Sequence, residues 1–174
     1  KKLTYEKMIE IAPKIIKKIP YVTFVLDNAS YNKLNDTDKN MNKIKAVLHN
    51  KVLVNLIKKG PFDYEKIVID QFVYPKKFYE HISRAPEKIT NVTFLTKAED
   101  QVMSVAAASI ISRYVFLREM KKMSEKLGKT VPLGASNMVD DFACEMVKKY
   151  GMDVLTSCTK LNFKNTEKVK NLLS

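Results

Sequence analysis

The sequence is poor in the residues that build several common kinds of functional site. It contains two histidines, His49 and His81, and two cysteines, Cys144 and Cys158. The histidines fall on different predicted helices, and the cysteines have neither a second cysteine pair nor a histidine nearby. A zinc site, a Ser-His-Asp triad and a disulfide framework therefore have little to build on. We interpret the cysteines as reduced, semi-buried thiols of a cytosolic protein.

Glycine-rich loops and long apolar runs are also missing. The chain has four glycines in 174 residues and neither of the glycine patterns that cradle nucleotide phosphates. No apolar run approaches the ~18 residues that would predict a membrane span. The chain opens in an amphipathic helical pattern, so we expect no signal peptide. With 45% apolar residues, its length suits a single domain with a sizeable core.

Positive charge is abundant, because the formal net charge is +12. Such an excess favours a polyanionic partner, either nucleic acid or an anionic membrane surface. Lysine-rich composition can also arise from compositional bias, since lysines solvate any helix surface. Charge alone leaves both interpretations open.

Apolar runs predict three strands, which alternate with helical patterns, at residues 21–26, 66–70 and 92–95. This alternation predicts an α/β fold with a parallel or mixed sheet wrapped by helices. The Asn- and Lys-rich segment 28–40 is predicted to be a loop with at most one turn of helix. A long helix is predicted from Lys97 to Gly128, and its segment 104–112 lacks a polar face, so we expect it to be buried.

Two acids stand where open α/β sheets tend to bind ligands and metals. Asp70 directly follows a buried strand, where a divalent cation could neutralise it, although it could equally cap the next turn. Glu99 lies at the start of the long helix, but Thr96-Lys97-Ala98-Glu99 also fits a capping box, which needs no metal. Asp27 and Asp100 are weaker candidates. The residues alone leave these alternatives open.

Several segments, taken in order, resemble ribonuclease HIII, a type 2 ribonuclease H. The resemblance covers essentially the whole chain and is carried by Ile69-Asp70-Gln71-Phe72, Thr96-Lys97-Ala98-Glu99 and residues 104–114, 132–136 and 159–166. It implies a ribonuclease H-like α/β fold, a mixed sheet flanked by helices. It also implies a metal-dependent endonuclease that cuts the RNA strand of RNA–DNA hybrids.

The resemblance also implies a site and partners. Asp70 and Glu99 fall on the third and fourth of four acids that hold Mg²⁺ or Mn²⁺ in this family. Lys1 and Lys2 match a family motif, and we expect them to contact the nucleic acid. We expect a cytoplasmic monomer that binds an RNA–DNA hybrid and no membrane.

This chain departs from the family in ways that open alternatives. The family's adjacent Asp-Glu pair, its Gly-Lys-Gly signature and three antiparallel strands lie upstream of the segment that resembles Lys1-Lys2-Leu3-Thr4. Residues 1–174 are therefore interpreted as one ribonuclease H-like catalytic domain that lacks its first strands. Asn162 stands where the family usually has histidine. The alternatives are a non-catalytic hybrid-binding module or inactive fragment, and a ribonuclease HII, although relatives of that type tend to have Asp where this chain has Glu99.

Overall fold

A computed structural model describes residues 3–37, 40–134 and 136–173. The chain divides into two compact units, unit 1 from Lys1–Phe24 and Asn40–Phe116 and unit 2 from Val25–Lys39 and Leu117–Ser174. The elements in chain order are α1 (Tyr5–Ile16), α2 (Asn28–Thr37), α3 (Met41–Ile57), β1 (Ile67–Asp70), α4 (Pro75–His81), β2 (Val92–Leu95), a 3₁₀ turn (Ala98–Asp100), α5 (Met103–Leu127), α6 (Asn137–Tyr150), α7 (Val154–Cys158) and α8 (Lys164–Leu173).

The sheet of unit 1 is a parallel pair, β1 beside β2. Ile67 lies opposite Val92, and Asp70 lies opposite Leu95. The ladder continues one residue further, because the Gln71 N–H donates to the Leu95 carbonyl oxygen at 2.8 Å. Parallel strands bring their carboxyl ends to the same edge of a sheet. Asp70 therefore lies at the same edge as the turn that follows β2.

The core of unit 1 is built around Phe78 of α4, which is fully buried. It packs against Ala46 of α3 and Ile69 of β1, and its ring centroid lies 5.2 Å from that of Phe94 in an edge-on arrangement. Asn50 of α3 is buried nearby and accepts a hydrogen bond from the Ile89 N–H at 2.8 Å. This packing fixes β1 and α4 against α3.

Local side chains explain several helix boundaries. The Thr4 side chain caps α1 by accepting from the Lys7 N–H at 3.3 Å. Helix α1 runs through Pro13 to Ile16. Helix α6 ends at Gly151, whose φ of 82° is a conformation that glycine adopts readily. These boundaries depend on local side chains, so the sequence could specify them.

The strand predicted at residues 21–26 is wrong, because the segment pairs with no strand in the described part of the chain. Phe24 is 44% exposed. Lysines of α3 and its carboxyl end contact the segment: Lys59 Nζ donates to the Tyr21 carbonyl oxygen at 2.7 Å, and Lys51 Nζ lies 4.5 Å from the Phe24 ring centroid. A strand requires a partner's backbone groups, and β-branched and aromatic composition cannot supply them.

The loop predicted at residues 28–40 is also wrong, because residues 28–37 form α2 in unit 2. Asp27 caps the helix through Oδ1, which accepts from the Ser30 N–H at 2.7 Å. Buried Asn32 donates to the carbonyl oxygen of Thr159 at 3.0 Å and accepts from the Leu161 N–H at 2.9 Å. The asparagines that locally favour a loop are used for tertiary hydrogen bonds, and these stabilise the helix.

The remaining core of unit 2 joins α6 to its neighbours. Met146 of α6 is 1% exposed and packs with Leu127 at the end of α5. Asp140 of α6 is 5% exposed. It accepts hydrogen bonds from the Asn165 side-chain amide and from Lys168 Nζ, the latter at 3.3 Å. This polar cluster ties α8 to α6.

The long helix differs from its prediction in two respects. It begins at Met103 rather than Lys97, and its small-residue segment is not buried. Ile111 is 3% exposed and Met103 is 86% exposed, while the exposed small residues of this segment are Ser104, Ala108, Ser109 and Ser112. Burial needs neighbouring elements on every side, which an apolar sequence does not guarantee. Among the described residues, no helix has both the length and the apolar character needed to cross a membrane.

Candidate active site

Asp70 and Glu99 lie together at the carboxyl edge of the unit 1 sheet. Asp70 ends β1, and its Oδ1 accepts a hydrogen bond from the Ala98 N–H at 2.9 Å. Ala98 immediately precedes Glu99 in the 3₁₀ turn that follows β2. This hydrogen bond joins segments 28 residues apart. The structure thus brings the turn that carries Glu99 against the carboxylate of Asp70.

The turn that carries Glu99 is anchored through buried Ala98. Its methyl group is fully buried, and its carbonyl oxygen accepts from the N–H groups of Gln101 at 3.1 Å and Val102 at 2.8 Å. The preceding residue, Lys97, has the left-handed backbone conformation with a φ of 53°. For a residue with a side chain, this conformation costs roughly 1–2 kcal/mol. The chain reverses there and leaves the Glu99 side chain exposed.

The capping box predicted for Thr96 and Glu99 is wrong. Helix α5 starts at Met103, and no side-chain capping hydrogen bond is made at the amino end of the 3₁₀ turn. Instead, the Gln101 side-chain amide donates to the carbonyl oxygens of Thr96 at 2.8 Å and Lys97 at 3.3 Å. The Glu99 carboxylate is therefore not used to cap a helix.

The chemistry of this pair suits a hard divalent cation. Both residues are exposed. Asp70 uses Oδ1 for the hydrogen bond, and its Oδ2 accepts none from the described residues. Carboxylate oxygens are the ligands that Mg²⁺ and Mn²⁺ prefer. Within the described ranges, no three His, Cys, Asp or Glu side chains cluster as a complete metal site would. Two carboxylates are thus a fitting but partial donor set, which water or substrate oxygens can extend.

The other candidate residues have different surroundings. Asp100 is exposed in the same turn as Glu99. Asp27 belongs to unit 2, where the Ser30 backbone N–H and then its hydroxyl hold the pKa of the carboxyl below its usual 3.8. That carboxylate serves as a helix cap. Lys1 and Lys2 lie outside the described residues.

Two residues of the turn were not identified from the sequence. Gln101 bonds two carbonyl groups of the turn, and Lys97 has the left-handed conformation. No sequence signal indicates either role, because exposed glutamines are common and lysine is not a residue that favours positive φ.

Asn162, which departs from the family pattern, lies in unit 2. Its Oδ1 accepts a hydrogen bond from the Tyr31 hydroxyl at 3.2 Å. The ring of Tyr31 lies beneath Lys160, whose Nζ is 4.8 Å from the ring centroid. Asn162 therefore contributes to packing between α2 and the segment before α8.

Comparison with known proteins supports the resemblance. The family model of ribonuclease HII matches residues 1–166. Ribonuclease HIII of Lactococcus lactis is 43% identical over 169 residues, which are 97% of this chain and 58% of that protein. Ribonuclease HIII of Bacillus licheniformis is 42% identical over 175 residues, which are 100% of this chain and 56% of that protein. The chain thus spans little more than half the length of these curated relatives.

Comparison with solved structures supports the same resemblance. The crystal structure of Bst-RNase HIII in complex with Mn²⁺ superposes with a TM-score of 0.94 and 40% identity, over 98% of this chain and 56% of that one. Ribonuclease H2 from Pyrococcus horikoshii is 21% identical and superposes with a TM-score of 0.75, over 98% of this chain and 78% of that one. At this identity the likeness supports the fold alone. The predicted ribonuclease H-like α/β fold is confirmed. The chain belongs to the ribonuclease HII family, and its similarity within that family is to proteins named ribonuclease HIII.

Proposed function

We propose that the protein containing this chain is an endonuclease that hydrolyses the RNA strand of RNA–DNA hybrids, with Mg²⁺ or Mn²⁺ held by Asp70 and Glu99. The observation that supports the proposal is the hydrogen bond from the Ala98 N–H to Asp70 Oδ1, because Ala98 immediately precedes Glu99 in the chain. Family membership supports the reaction class. A relative solved with Mn²⁺ supports the metal.

Each residue has a distinct part in this proposal. The Ala98 amide fixes Oδ1 of Asp70, which orients the carboxylate and leaves Oδ2 for a cation. Glu99 extends from a turn whose backbone is anchored by buried Ala98. Divalent ions bound there would activate a water molecule and stabilise the leaving oxygen at the scissile phosphate. The net charge of +12 would favour binding of the phosphate backbone.

The activity is proposed for the complete protein, with residues 1–174 as part of its catalytic domain. These residues span 58% of the Lactococcus relative, and their described part offers two clustered acids rather than four.

Substrate contacts, compartment and assembly complete the proposal. We propose that Lys1 and Lys2 contact the nucleic acid, so the dependence of hybrid affinity on salt should weaken when both are replaced by glutamine. Both cysteines are free thiols, which suits a reducing cytoplasm. We propose a monomer, and light scattering of the purified protein would measure its mass.

A non-catalytic hybrid-binding module is the second candidate, favoured by the absence of a three-residue acid cluster in the described chain. It predicts hybrid binding without cleavage at millimolar Mg²⁺. A ribonuclease HII specificity would instead appear as cleavage at single ribonucleotides embedded in DNA. Cleavage assays on a labelled hybrid and on labelled DNA with one embedded ribonucleotide therefore distinguish the three candidate functions.

The deciding experiment compares the complete protein with its Asp70→Asn variant on a hybrid with a labelled RNA strand. We expect turnover to fall roughly a thousandfold, because a lost metal ligand removes several kcal/mol of transition-state stabilisation. Hybrid affinity, measured by anisotropy without Mg²⁺, should change less than about threefold, since the carboxylate repels phosphate and does not bind it.

Two other results would contradict the proposal. Unchanged turnover in the Asp70→Asn variant would remove Asp70 from the mechanism. A complete wild-type protein that binds the hybrid but does not cut it would favour the binding module.

A further inference from the structure

The Gln101 side chain spans the strained point of the turn that carries Glu99. Its Nε2 lies 2.8 Å from the carbonyl oxygen of Thr96 and 3.3 Å from that of Lys97. These two carbonyl groups belong to the peptide units on either side of the Lys97 α-carbon. One amide group therefore holds both of the peptide planes whose relative orientation defines the Lys97 conformation.

That conformation is unfavourable for lysine. Lys97 has a φ of 53° and a ψ of 45°, which glycine and asparagine adopt far more readily than residues with long side chains. A conformation of this kind persists where surrounding contacts determine it. The Lys97 carbonyl oxygen also accepts from the Asp100 N–H at 3.1 Å. The hydrogen bonds that stabilise this conformation thus come from Asp100 and Gln101, at the carboxyl end of the turn.

Any change at Lys97 would be transmitted directly to the two acids. Ala98 follows Lys97, and its N–H donates to Asp70. Glu99 follows Ala98. If Lys97 returned to an ordinary negative φ, the Ala98 N–H would rotate away from Asp70 and the Glu99 side chain would move with the chain.

We propose that Gln101 is a positioning residue, which stabilises the left-handed conformation of Lys97 and so keeps the Ala98 N–H on Asp70 and the Glu99 carboxylate beside it. Gln101 contacts neither acid and acts through the backbone. The importance of Gln101 for metal binding rests on the proposed function, whereas its effect on the conformation of the turn is independent of that function.

The test is a double-mutant cycle between Gln101→Met and Lys97→Gly in the complete protein. Methionine keeps the length of glutamine but has no N–H to donate. Glycine adopts the left-handed conformation without strain, so it removes the need for Gln101. Mn²⁺ affinity is measured from the electron paramagnetic resonance signal of free Mn²⁺, and hydrogen exchange of the Ala98 amide is measured by NMR without metal.

We expect Gln101→Met to weaken Mn²⁺ binding roughly fivefold to tenfold, as the loss of about 1 kcal/mol of turn stabilisation implies, and to speed exchange of the Ala98 amide similarly. In a protein that already carries K97G, the same Q101M change should have less than about a twofold effect on both. The melting temperature should fall by no more than about 4 °C, because about 1 kcal/mol has only a small effect on a chain of this length. So small a change in melting temperature distinguishes a local positioning role from a general loss of stability.

The results that overturn the inference are distinct from those that overturn the proposed function. Equal Ala98 exchange in wild type and Q101M, or an equal effect of Q101M with and without K97G, would overturn the role of Gln101. A wild-type protein that does not bind Mn²⁺ would overturn the metal site instead. In that case, metal-free exchange of the Ala98 amide would still decide whether Gln101 holds the turn.

Discussion

Asp70 of unit 1 and Asp140 of unit 2 both accept hydrogen bonds, but they differ in burial and in how many of their oxygens are bonded. Asp140 is 5% exposed, and its two carboxylate oxygens accept from Asn165 and Lys168. Asp70 is exposed at the end of β1, with one oxygen held by the Ala98 N–H. A buried acid whose two oxygens both accept hydrogen bonds supports the fold, whereas an exposed acid with one unbonded oxygen can bind a cation.

The same contrast extends to the neighbouring polar groups. In unit 2, buried Asn32 uses its side-chain amide and oxygen for backbone groups near the end of α7. In unit 1, Gln101 holds the backbone of the 3₁₀ turn, and Glu99 remains exposed. Side-chain hydrogen bonds thus stabilise packing in unit 2, whereas in unit 1 they hold a turn whose carboxylate stays exposed.

Among the residues near Asp70, the largest effect is expected at Glu99. Replacement of Glu99 by glutamine should lower hybrid cleavage by the complete protein about 100-fold, because a metal ligand loses its charge. The unfolding free energy should hardly change, since the side chain is exposed. Asp100→Asn is the matched control in the same turn, and we expect cleavage within about threefold of wild type. Equal losses in both variants would mean that charge in the turn, rather than Glu99, matters.

A smaller effect, on stability rather than cleavage, is expected at Asn32. Asn32→Ala removes a buried side chain and leaves a part-buried N–H and part-buried carbonyl groups without their partner, so we expect a loss of about 2 kcal/mol in unfolding free energy. Urea denaturation measures it. Asn28→Ala, which removes an exposed hydrogen bond to the Ser157 carbonyl, should cost less than about 1 kcal/mol. If the two variants were equally stable, the buried network would not stabilise α2.

The smallest expected effect is the pH dependence at Asp140. The hydrogen bonds from Asn165 and then Lys168 hold the pKa of this carboxyl below its usual 3.8. Because the folded pKa is the lower one, the stabilisation is present above pH 3.8 and is lost as the pH falls through the folded value. Asp140→Asn should therefore be less stable than wild type near neutral pH, and the difference should shrink in acid.

Urea titrations of both proteins from neutral pH down through the acid range measure this difference. Asp27 has a pKa shifted in the same direction, so some acid sensitivity should persist in Asp140→Asn. A difference that stayed constant with pH would show that the charge of Asp140 makes no contribution.

Predictions from local pattern succeeded where the cause was local. The strands predicted at residues 66–70 and 92–95 became β1 and β2, because their short apolar runs specify them locally. That the turn after β2 lies beside Asp70 was also predictable, because parallel strands present their carboxyl ends at one edge.

Predictions failed where a partner distant in the sequence decides the outcome. Residues 21–26 have strand-like composition but no strand to pair with in the described chain. Residues 28–37 have loop-like composition but form a helix whose asparagines bond the segment after α7. The turn before α5 is a local exception, because it matches a capping box in sequence, yet the nearby Gln101 bonds its carbonyl groups instead. Composition describes what a segment can donate, accept or bury, and the available partners decide which option is used.

The sequence by itself determined the α/β class, the strands that became β1 and β2, the excess of positive charge and the two candidate acids that follow these strands, since these depend on periodicity and composition. Only the tertiary structure decided that the Ala98 N–H holds one oxygen of Asp70 and that the small-residue face of α5 is exposed. The physical reason is that hydrogen-bond satisfaction and burial belong to pairs of segments, and a single segment does not specify its partner.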